Sequence, residues 1–143
     1  MEVVILAAGK GTRMFSDKPK VLHGIGGSAM LKHVVRTSRA LHPHKIHTVI
    51  GFGAQQIKDY FASSNTADLT WVLQAEQFGT GHAVQQALPG INIEDSENQV
   101  LVLYGDVPLI QTSTLEELLS QTDSETLALL TVLAENPTGL GRI

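Results

Sequence analysis

The feature that most constrains the fold of this chain is a regular alternation between apolar runs and segments of helical periodicity. Residues 2–8 form a short continuous apolar run, which is the pattern of a strand that is buried on both faces. Further strands are predicted over residues 45–52, 69–74, 100–104 and 126–134, and helices over residues 29–41, 54–62, 80–88 and 114–120. This order predicts an α/β fold with a mostly parallel sheet and helices on both faces.

Three expectations concern the later part of the chain. Residues 100–104 are the most apolar strand candidate, so we expect them to be the most deeply buried strand. Ser113 and Glu116 have the spacing of a capping box that opens the helix 114–120. The 143 residues suffice for one domain and not for two. Since Pro137-Thr138-Gly139 looks like a turn, we expect residues 1–143 to form the N-terminal part of a single domain that is incomplete at its C-terminal side.

The composition narrows the class of protein. Hydrophobic residues make up 43% of the chain and charged residues 17%, the balance of a soluble globular domain. No apolar run reaches the length of a membrane span, and the first residues carry no basic segment typical of a signal peptide. The chain has no cysteine, which excludes disulfides and thiolate metal sites. We therefore expect a cytoplasmic protein without membrane insertion.

Charge is unevenly distributed in a chain whose formal net charge is −4. Residues 1–36 carry six basic side chains and two acidic ones, out of ten basic and fourteen acidic side chains in the whole chain. A basic N-terminal region on an acidic protein suits a small polyanion such as a nucleoside triphosphate, whereas a nucleic-acid partner would favour an overall basic domain. A chance cluster on a solvated face explains the spacing equally well at this point.

A glycine-rich loop follows the first predicted strand, with the sequence Leu-Ala-Ala-Gly-Lys-Gly-Thr-Arg-Met over residues 6–14. Ligands of open α/β sheets bind at the carboxyl ends of strands, where small residues let backbone N–H groups approach phosphate oxygens. Lys10 and Arg13 can neutralise such phosphates. The dinucleotide-binding fingerprint would need glycine where Met14 stands, and the P-loop spacing does not occur.

Polar side chains at three other positions are candidates for the same site. Pro19 fixes its own φ and biases Lys18 towards extended geometry, which holds Lys20 in a defined direction. Asp106 follows the strand 100–104, where a Mg²⁺ that bridges phosphates would lie, although an aspartate that begins a turn fits equally well. Gln74 closes the strand 69–74 and its amide suits a pyrimidine edge, although a polar strand end is the alternative.

The histidines at positions 42, 44 and 47 do not predict a metal site. No carboxylate or cysteine stands at ligand spacing, and Pro43 breaks any helical register. A solvated loop that leads into a strand is the better interpretation of this segment.

Four motifs in a consistent order resemble those of the sugar-nucleotide pyrophosphorylases, and most closely those of the bacterial bifunctional N-acetylglucosamine-1-phosphate uridylyltransferases. They are residues 6–14 with Lys18-Pro19-Lys20, residues 74–83 (Gln-Ala-Glu-Gln-Phe-Gly-Thr-Gly-His-Ala), residues 103–109 (Leu-Tyr-Gly-Asp-Val-Pro-Leu) and residues 137–143 (Pro-Thr-Gly-Leu-Gly-Arg-Ile). The motifs span essentially the whole chain. The resemblance implies a Rossmann-like, GT-A-like nucleotidyltransferase fold.

The resemblance also implies the reaction of UTP with N-acetylglucosamine 1-phosphate to give UDP-N-acetylglucosamine and pyrophosphate. Mg²⁺ is the implied cofactor, and the implied role is the synthesis of peptidoglycan and lipopolysaccharide precursors. The sugar phosphate attacks the α-phosphorus in line, so no protein nucleophile is needed and catalysis must come from positioning and charge neutralisation.

The resemblance assigns roles to individual residues of this sequence. Arg13 matches the arginine that stabilises the triphosphate, Lys20 matches a lysine that contacts phosphate, and Asp106 matches the Mg²⁺ ligand. Gln74 matches the residue that reads uracil. The implied nucleotide- and substrate-binding residues are Leu6, Ala7, Ala8, Gly9, Gly11, Lys20, Gln74, Gly79, Thr80, Tyr104, Gly105, Asp106 and Gly141. Leu140 departs from the aromatic residue that is often found beside that last glycine.

In the family, further metal and sugar ligands lie downstream of the segment that this chain matches. Its bifunctional members also carry a C-terminal acetyltransferase domain that forms the homotrimer. The resemblance therefore implies a trimeric parent, while residues 1–143 alone are expected to bind UTP weakly with little or no turnover. Two alternatives stay open, namely a nucleotide-binding chain without turnover and a pyrophosphorylase for another sugar 1-phosphate or nucleotide.

Overall fold

The computed structural model describes residues 1–123 and 125–139, and its centre is a four-stranded parallel sheet. In chain order the elements are β1 (Glu2–Ala7), β2 (Gly24–Ile25), β3 (Ser28–Ala29), α1 (Met30–Ala40), β4 (Ile46–Ile50), α2 (Ala54–Phe61), β5 (Leu69–Leu73), α3 (Thr80–Ala87), β6 (Val100–Tyr104) and α4 (Thr112–Ser120). Short 3₁₀ turns cover Thr12–Met14, Lys20–Leu22 and Leu88–Gly90. Within the described ranges, none of the helices has the length and hydrophobicity that crossing a bilayer would require.

The sheet has the strand order β5-β4-β1-β6, and all three pairings are parallel. β2 and β3 form a separate two-stranded antiparallel hairpin. Because the four strands run in the same direction, their carboxyl ends lie at one edge, where Leu6 of β1 is in register with Val49 of β4 and Tyr104 of β6. The predicted parallel α/β sheet is confirmed.

Two apolar cores lie on opposite faces of the sheet, because alternate residues of β1 point to opposite sides. Val3, Ile5 and Ala7 pack in one core with residues of α1, α2 and α4. Val4 and Ala8 pack in the second core with residues of α3. The predicted placement of helices on both faces is therefore confirmed.

The expected deep burial of strand 100–104 and the predicted strand 126–134 do not match the structure. β6 has the predicted bounds but is an edge strand, in which Leu101 and Leu103 are buried while Val100, Val102 and Tyr104 are 40–52% exposed. Residues 126–134 form no strand, and most of their large apolar side chains are exposed. A strand forms only when it is paired, and among the described residues this segment pairs with no strand, although the outer edge of β6 is open. Strand propensity alone is therefore not sufficient to make residues 126–134 a strand.

The predicted capping box at Ser113 and Glu116 is also wrong. α4 begins at Thr112 after Gln111, and the side chain of Gln111 makes no capping hydrogen bond. Ser113 is therefore already inside the helix, two residues past the N-cap position at which a hydroxyl could cap the first turn.

A buried polar cluster lies at the amino ends of the strands, opposite the edge that carries the predicted site. His47 of β4 is fully buried, and its Nε2 lies 2.6 Å from Glu2 Oε2. Glu2 Oε1 accepts hydrogen bonds from the backbone N–H of Asn92 at 2.9 Å and from Asn98 Nδ2 at 3.0 Å. His47 is thus a structural core residue, and the predicted solvated loop does not extend to it.

Candidate active site

A cavity of about 610 Å³ opens at the carboxyl ends of the strands. It is lined by Leu6, Ala7, Ala8, Gly9, Gly11, Thr12, Arg13, Met14, Lys20, Val21, Gln74, Gln77, Gly79, Thr80, Ala83, Tyr104 and Asp106. Twelve of the predicted site residues, from four separate stretches of the chain, therefore surround one space. Gly105 does not line it, and Gly141 lies outside the described residues.

Gly105 lies behind the cavity wall and brings Asp106 to the rim. Its backbone N–H donates to the Leu6 carbonyl oxygen at 2.9 Å, which continues the pairing of β6 with β1 one residue past the strand. A β-carbon at this position would lie 3.1 Å from that carbonyl oxygen and 3.2 Å from Ala7 Cβ. Glycine therefore allows the two chain segments to approach closely.

An ion pair spans the cavity mouth. Lys20 Nζ lies 2.5 Å from Asp106 Oδ2, and the two side chains are 40% and 30% exposed. A partly exposed pair of this kind contributes less than about 1 kcal/mol to stability, because solvent screens both charges. The position of the pair is more relevant to function than its contribution to stability, because both charged groups line the cavity and remain accessible to a ligand.

Gly11 allows Lys20 to reach this place. Its φ of +61° lies in the left-handed region that favours glycine. A β-carbon on Gly11 would lie 2.7 Å from Lys20 Cβ, closer than such atoms pack. The glycine of the loop thus serves two needs, a backbone conformation and the close approach of the lysine.

Pro19, the residue before Lys20, packs closely against Gly53. The φ of Gly53 is +65°, and a β-carbon there would overlap the ring of Pro19. The turn between β4 and α2 therefore supports the residue that precedes Lys20. Gly51-Phe52-Gly53 follows an apolar strand, just as the glycine-rich loop follows β1, and this pattern could have indicated the turn. The predicted strand 45–52 includes two of these three residues and therefore extends too far.

Arg13 lies in the 3₁₀ turn Thr12–Met14, on the same wall as Gly9 and Gly11. Its side chain is exposed. With Lys20 it supplies positive charge to the cavity, whereas Lys10 and Lys18, which belong to the same basic region of the sequence, are not part of the lining.

Gln74 closes the opposite wall and is 2% exposed. Its backbone N–H donates to the Ile50 carbonyl oxygen at 2.8 Å. Its side-chain nitrogen donates to the Gly79 carbonyl oxygen at 3.2 Å and lies 2.9 Å from His82 Nδ1. The amide is therefore fixed in one orientation by the segment that follows β5.

The donor set of the cavity fits a Mg²⁺ ion that is shared with phosphates. Asp106 is the single carboxylate in the lining formed by residues 1–123 and 125–139. The described part of the chain contains no group of three or more potential metal-ligating side chains. Mg²⁺ commonly takes one or two carboxylates and completes its shell with water and substrate phosphates. In this structure the Lys20 ammonium occupies one oxygen of Asp106 as a cation would.

Several lining residues were not predicted from the sequence. They are Thr12, Met14, Val21, Gln77 and Ala83. Gln77 Nε2 donates to the Gln74 carbonyl oxygen at 3.2 Å and so closes the turn after β5. The sequence predicts its neighbours Gln74 and Gly79 as site residues. It does not predict Gln77, because the geometry of the turn that places Gln77 in the lining cannot be derived from the sequence.

A larger cavity of about 1060 Å³ lies elsewhere, between the exposed face of β6, α4 and residues 126–130. Its lining is dominated by leucine and valine side chains, and of the predicted site residues it contains only Tyr104. It is the uncovered face of the edge strand, so its size does not indicate a catalytic site.

Comparison with known proteins agrees with this arrangement. Residues 3–138 match the family model described as the MobA-like NTP transferase domain. The whole chain is 55% identical to a protein named "Bifunctional protein GlmU" from Stutzerimonas stutzeri and 56% identical to one of the same name from Azotobacter vinelandii. The chain spans 30% of the length of each of these relatives. The resemblance found in the sequence motifs is thereby confirmed.

Solved structures share the fold. A nucleotidyl transferase from Methanothermobacter thermautotroptrophicus superposes with a TM-score of 0.72 at 19% identity, over 85% of this chain and 57% of that one. HddC from Yersinia pseudotuberculosis, in a complex with GMP-PN, has a TM-score of 0.63 at 26% identity, over 81% and 53% of the two chains. The chain belongs to the family of MobA-like NTP transferase domains.

Proposed function

We propose that this chain provides the nucleotide-binding part of a nucleotidyltransferase that transfers a uridylyl group from UTP to N-acetylglucosamine 1-phosphate. The observation that carries the proposal is the cavity in which the glycine-rich loop, Arg13 and the Lys20–Asp106 pair face one another. The family of the chain and the GMP-PN complex of its structural neighbour support a nucleoside triphosphate as the ligand of such a cavity.

In the proposed reaction the chain's own residues bind and orient phosphates. An oxygen of the sugar phosphate attacks the α-phosphorus of UTP, the new P–O bond forms, and the bond to the bridging oxygen of pyrophosphate breaks. No proton needs to move, because the attacking phosphate is already ionised. The protein must therefore hold both anions in line and neutralise the charge that shifts to pyrophosphate.

Two basic side chains have distinct tasks in this scheme. Arg13 stands on the wall formed by the glycine-rich loop and binds the β- and γ-phosphates, which become the leaving group. Lys20 stands at the mouth beside Asp106 and binds the phosphates that react. Mg²⁺, held by Asp106, would neutralise phosphate oxygens and support their geometry.

Uridine is the proposed nucleoside because Gln74 lines the cavity and its side-chain amide is held in one orientation. The fold does not decide the base, since its relatives in structure include an inositol-1-phosphate CTP transferase and the HddC complex with GMP-PN. Gly79 and Thr80 line the cavity beside Gln74 and are the proposed contacts of the base. The sugar contact proposed for Gly141 rests on the sequence resemblance.

The chain by itself is proposed to bind UTP weakly and to turn it over slowly or not at all. It spans 30% of the length of the relatives, and β6 has an uncovered face beside the cavity. Complete activity, trimer formation and acetyl transfer are proposed for the whole parent protein. We propose that this parent is cytoplasmic and supplies UDP-N-acetylglucosamine for cell-envelope precursors.

Two measurements test the proposal. In the first, the ¹⁵N-labelled chain is titrated with UTP and Mg²⁺, and we expect chemical-shift changes at residues 6–13, Lys20 and Gln74. Changes confined to other regions would contradict the proposed binding site.

In the second measurement, a chimera in which this chain replaces the matched segment of the S. stutzeri relative is assayed for pyrophosphate release. We expect UTP with N-acetylglucosamine 1-phosphate to be the best pair among combinations that include glucose 1-phosphate, CTP and GTP. A better rate with another pair would overturn the proposed specificity.

A further inference from the structure

The orientation of the Gln74 amide is decided by two neighbours on its own side of the cavity. The Gly79 carbonyl oxygen can only accept a hydrogen bond, so the group 3.2 Å from it must be the amide nitrogen of Gln74. The same nitrogen lies 2.9 Å from His82 Nδ1. Both N–H bonds of the amide are then used within the protein, whereas the carbonyl oxygen Oε1 accepts no hydrogen bond from any residue that the structure describes.

This pairing also fixes the tautomer of His82. Nδ1 must accept the hydrogen bond from Gln74, so a neutral imidazole carries its proton on Nε2. That nitrogen lies 3.0 Å from the Gln86 amide. Since Nε2–H can only donate, the Gln86 amide must present its oxygen to the ring, an orientation that the shape of an amide permits equally well.

The three side chains then form a directed series of hydrogen bonds, from Gln74 to His82 and from His82 to Gln86. His82 and Gln86 are one helical turn apart in α3, at positions i and i+4, where side chains are neighbours. The Phe78 ring packs against the imidazole with the ring centroids 5.2 Å apart. The imidazole is thus supported by an aromatic neighbour and by partners at both nitrogens.

We propose that His82 is a positioning residue that sets base specificity by presenting Gln74 Oε1, and not the amide nitrogen, to the nucleotide. This inference rests on the proposed function, because it concerns the base of the nucleotide in the same cavity. An acceptor at this place matches the N3–H of uracil. It opposes the N3 atom of cytosine, which is itself an acceptor.

Accommodating cytosine would require the Gln74 amide to turn over. Its oxygen would then face the Gly79 carbonyl oxygen and the unprotonated Nδ1 of His82, which places acceptors against acceptors on both sides. Removing His82 removes one of these two penalties. The preference for UTP over CTP should therefore weaken, while the cavity and its phosphate-binding residues stay in place.

The experiment measures the dissociation constants of UTP and CTP for the chain by NMR titration, and the quantity of interest is their ratio. In His82→Leu we expect the preference for UTP to fall by about three- to tenfold, the scale of one hydrogen bond. In His82→Asn we expect the preference to remain, because Asn Oδ1 occupies the place of Nδ1 and accepts the same bond. Gln86→Leu should give a smaller fall and provides a second variant if His82→Leu does not fold.

The outcomes separate this inference from the function on which it rests. A merely structural role for His82 would weaken both nucleotides equally, and an unchanged ratio in His82→Leu would overturn the inference while UTP binding stands. An equal loss of preference in His82→Leu and His82→Asn would also overturn it, because the acceptor at Nδ1 would then be irrelevant. Failure of the wild-type chain to bind UTP would overturn the proposed function itself.

Discussion

Lys20 and Asp106 are 86 residues apart in the sequence, yet Lys20 Nζ lies 2.5 Å from Asp106 Oδ2. The pair forms because two parts of the fold meet at the same place. β6 ends just before Asp106 at the carboxyl end of the sheet, and Pro19, which packs against Gly53, positions the adjacent Lys20. A carboxylate beside a flexible ammonium can exchange that partner for a metal ion when phosphates arrive and attract the lysine. The pair therefore marks the side of the proposed triphosphate site at which the metal ion would bind.

Replacement of Asp106 by asparagine should raise the Mg²⁺ concentration that is needed for half-maximal turnover of the chimera. The amide keeps the shape of the side chain but loses the charge that holds the ion, so we expect an increase of at least about tenfold. A Mg²⁺ titration of pyrophosphate release checks this. Glu76→Gln is the matched control, since Glu76 is exposed and does not line the cavity. An unmoved titration in Asp106→Asn would make Asp106 a structural residue.

Replacement of Arg13 by alanine should lower the turnover of the chimera by about 10²–10³, which is the scale of removing one preorganised stabilising group. Steady-state rates at saturating UTP provide the measurement. Lys18→Ala removes a charge from the same basic region but outside the cavity lining, so its rate should stay near that of the unmodified chimera. If Arg13→Ala were equally active, the arginine would have no part in the reaction.

Gly11→Ala should weaken UTP binding, whereas Gly26→Ala should not. Both glycines have positive φ, +61° and +54°, so each substitution should cost about 1–2 kcal/mol of stability through backbone strain. Only at Gly11 does the new β-carbon also meet Lys20, because the space around Gly26 is open within 4 Å. Thermal denaturation and UTP titration of both variants separate strain from displacement of the lysine. Equal UTP affinities in the two variants would refute the proposed link between Gly11 and Lys20.

Acid should destabilise the chain in part through Glu2. Burial raises the pKa of this carboxyl, but hydrogen bonds from the Asn92 N–H, His47 and Asn98 together bring the pKa below its ordinary 4.5. Because the pKa of Glu2 is lower in the folded state than in the unfolded state, the unfolded chain binds more protons. The free energy of unfolding therefore decreases as the pH is lowered. The loss should begin near pH 4.5 and continue through the lower pKa of the folded state. Urea unfolding between pH 7 and pH 3 checks this expectation.

Glu2→Gln should lower the free energy of unfolding at pH 7 by about 1–3 kcal/mol, the cost of weakening a buried, charge-assisted network. It should also reduce the dependence on pH below 4.5. Asp68→Asn is the comparison, since hydrogen bonds and charge from Arg39 lower the pKa of Asp68 against an opposing effect of burial. The Asp68 and Arg39 side chains are each 37% exposed, so after screening the loss should stay below about 1 kcal/mol. If Asp68→Asn lowered the free energy of unfolding more than Glu2→Gln does, burial would not be the reason why the Glu2 network stabilises the fold.

The sequence predicted those parts of the fold that depend on local pattern. Periodicity placed the four strands of the parallel sheet and the four helices within a few residues, because each of these segments carries apolar side chains that pack in the core. It failed where the outcome depends on a partner. The face of β6 and residues 126–134 carry apolar side chains that no described element covers. Periodicity records which side chains could be buried, and a neighbour decides whether they are.

The candidate site was predicted from motifs, and the structure adds the contacts between them. Gln74 and Asp106 each follow a predicted strand, and the carboxyl ends of parallel strands lie on the same side of a sheet. The sequence therefore predicts that both residues belong to one site. The ion pair with Lys20 and the support of Pro19 by Gly53 depend on loop geometry that spacing does not contain. His82 lay inside a recognised motif, but its role required the position of each ring nitrogen.

A crystal structure of the chain with UTP and Mg²⁺ would provide the decisive test of the proposed triphosphate site. We expect density for the triphosphate over residues 6–13, with phosphate oxygens in hydrogen-bond reach of the Arg13 guanidinium and the Lys20 ammonium and a metal ion on Asp106. A nucleotide bound elsewhere, with the Lys20–Asp106 pair unchanged, would contradict it.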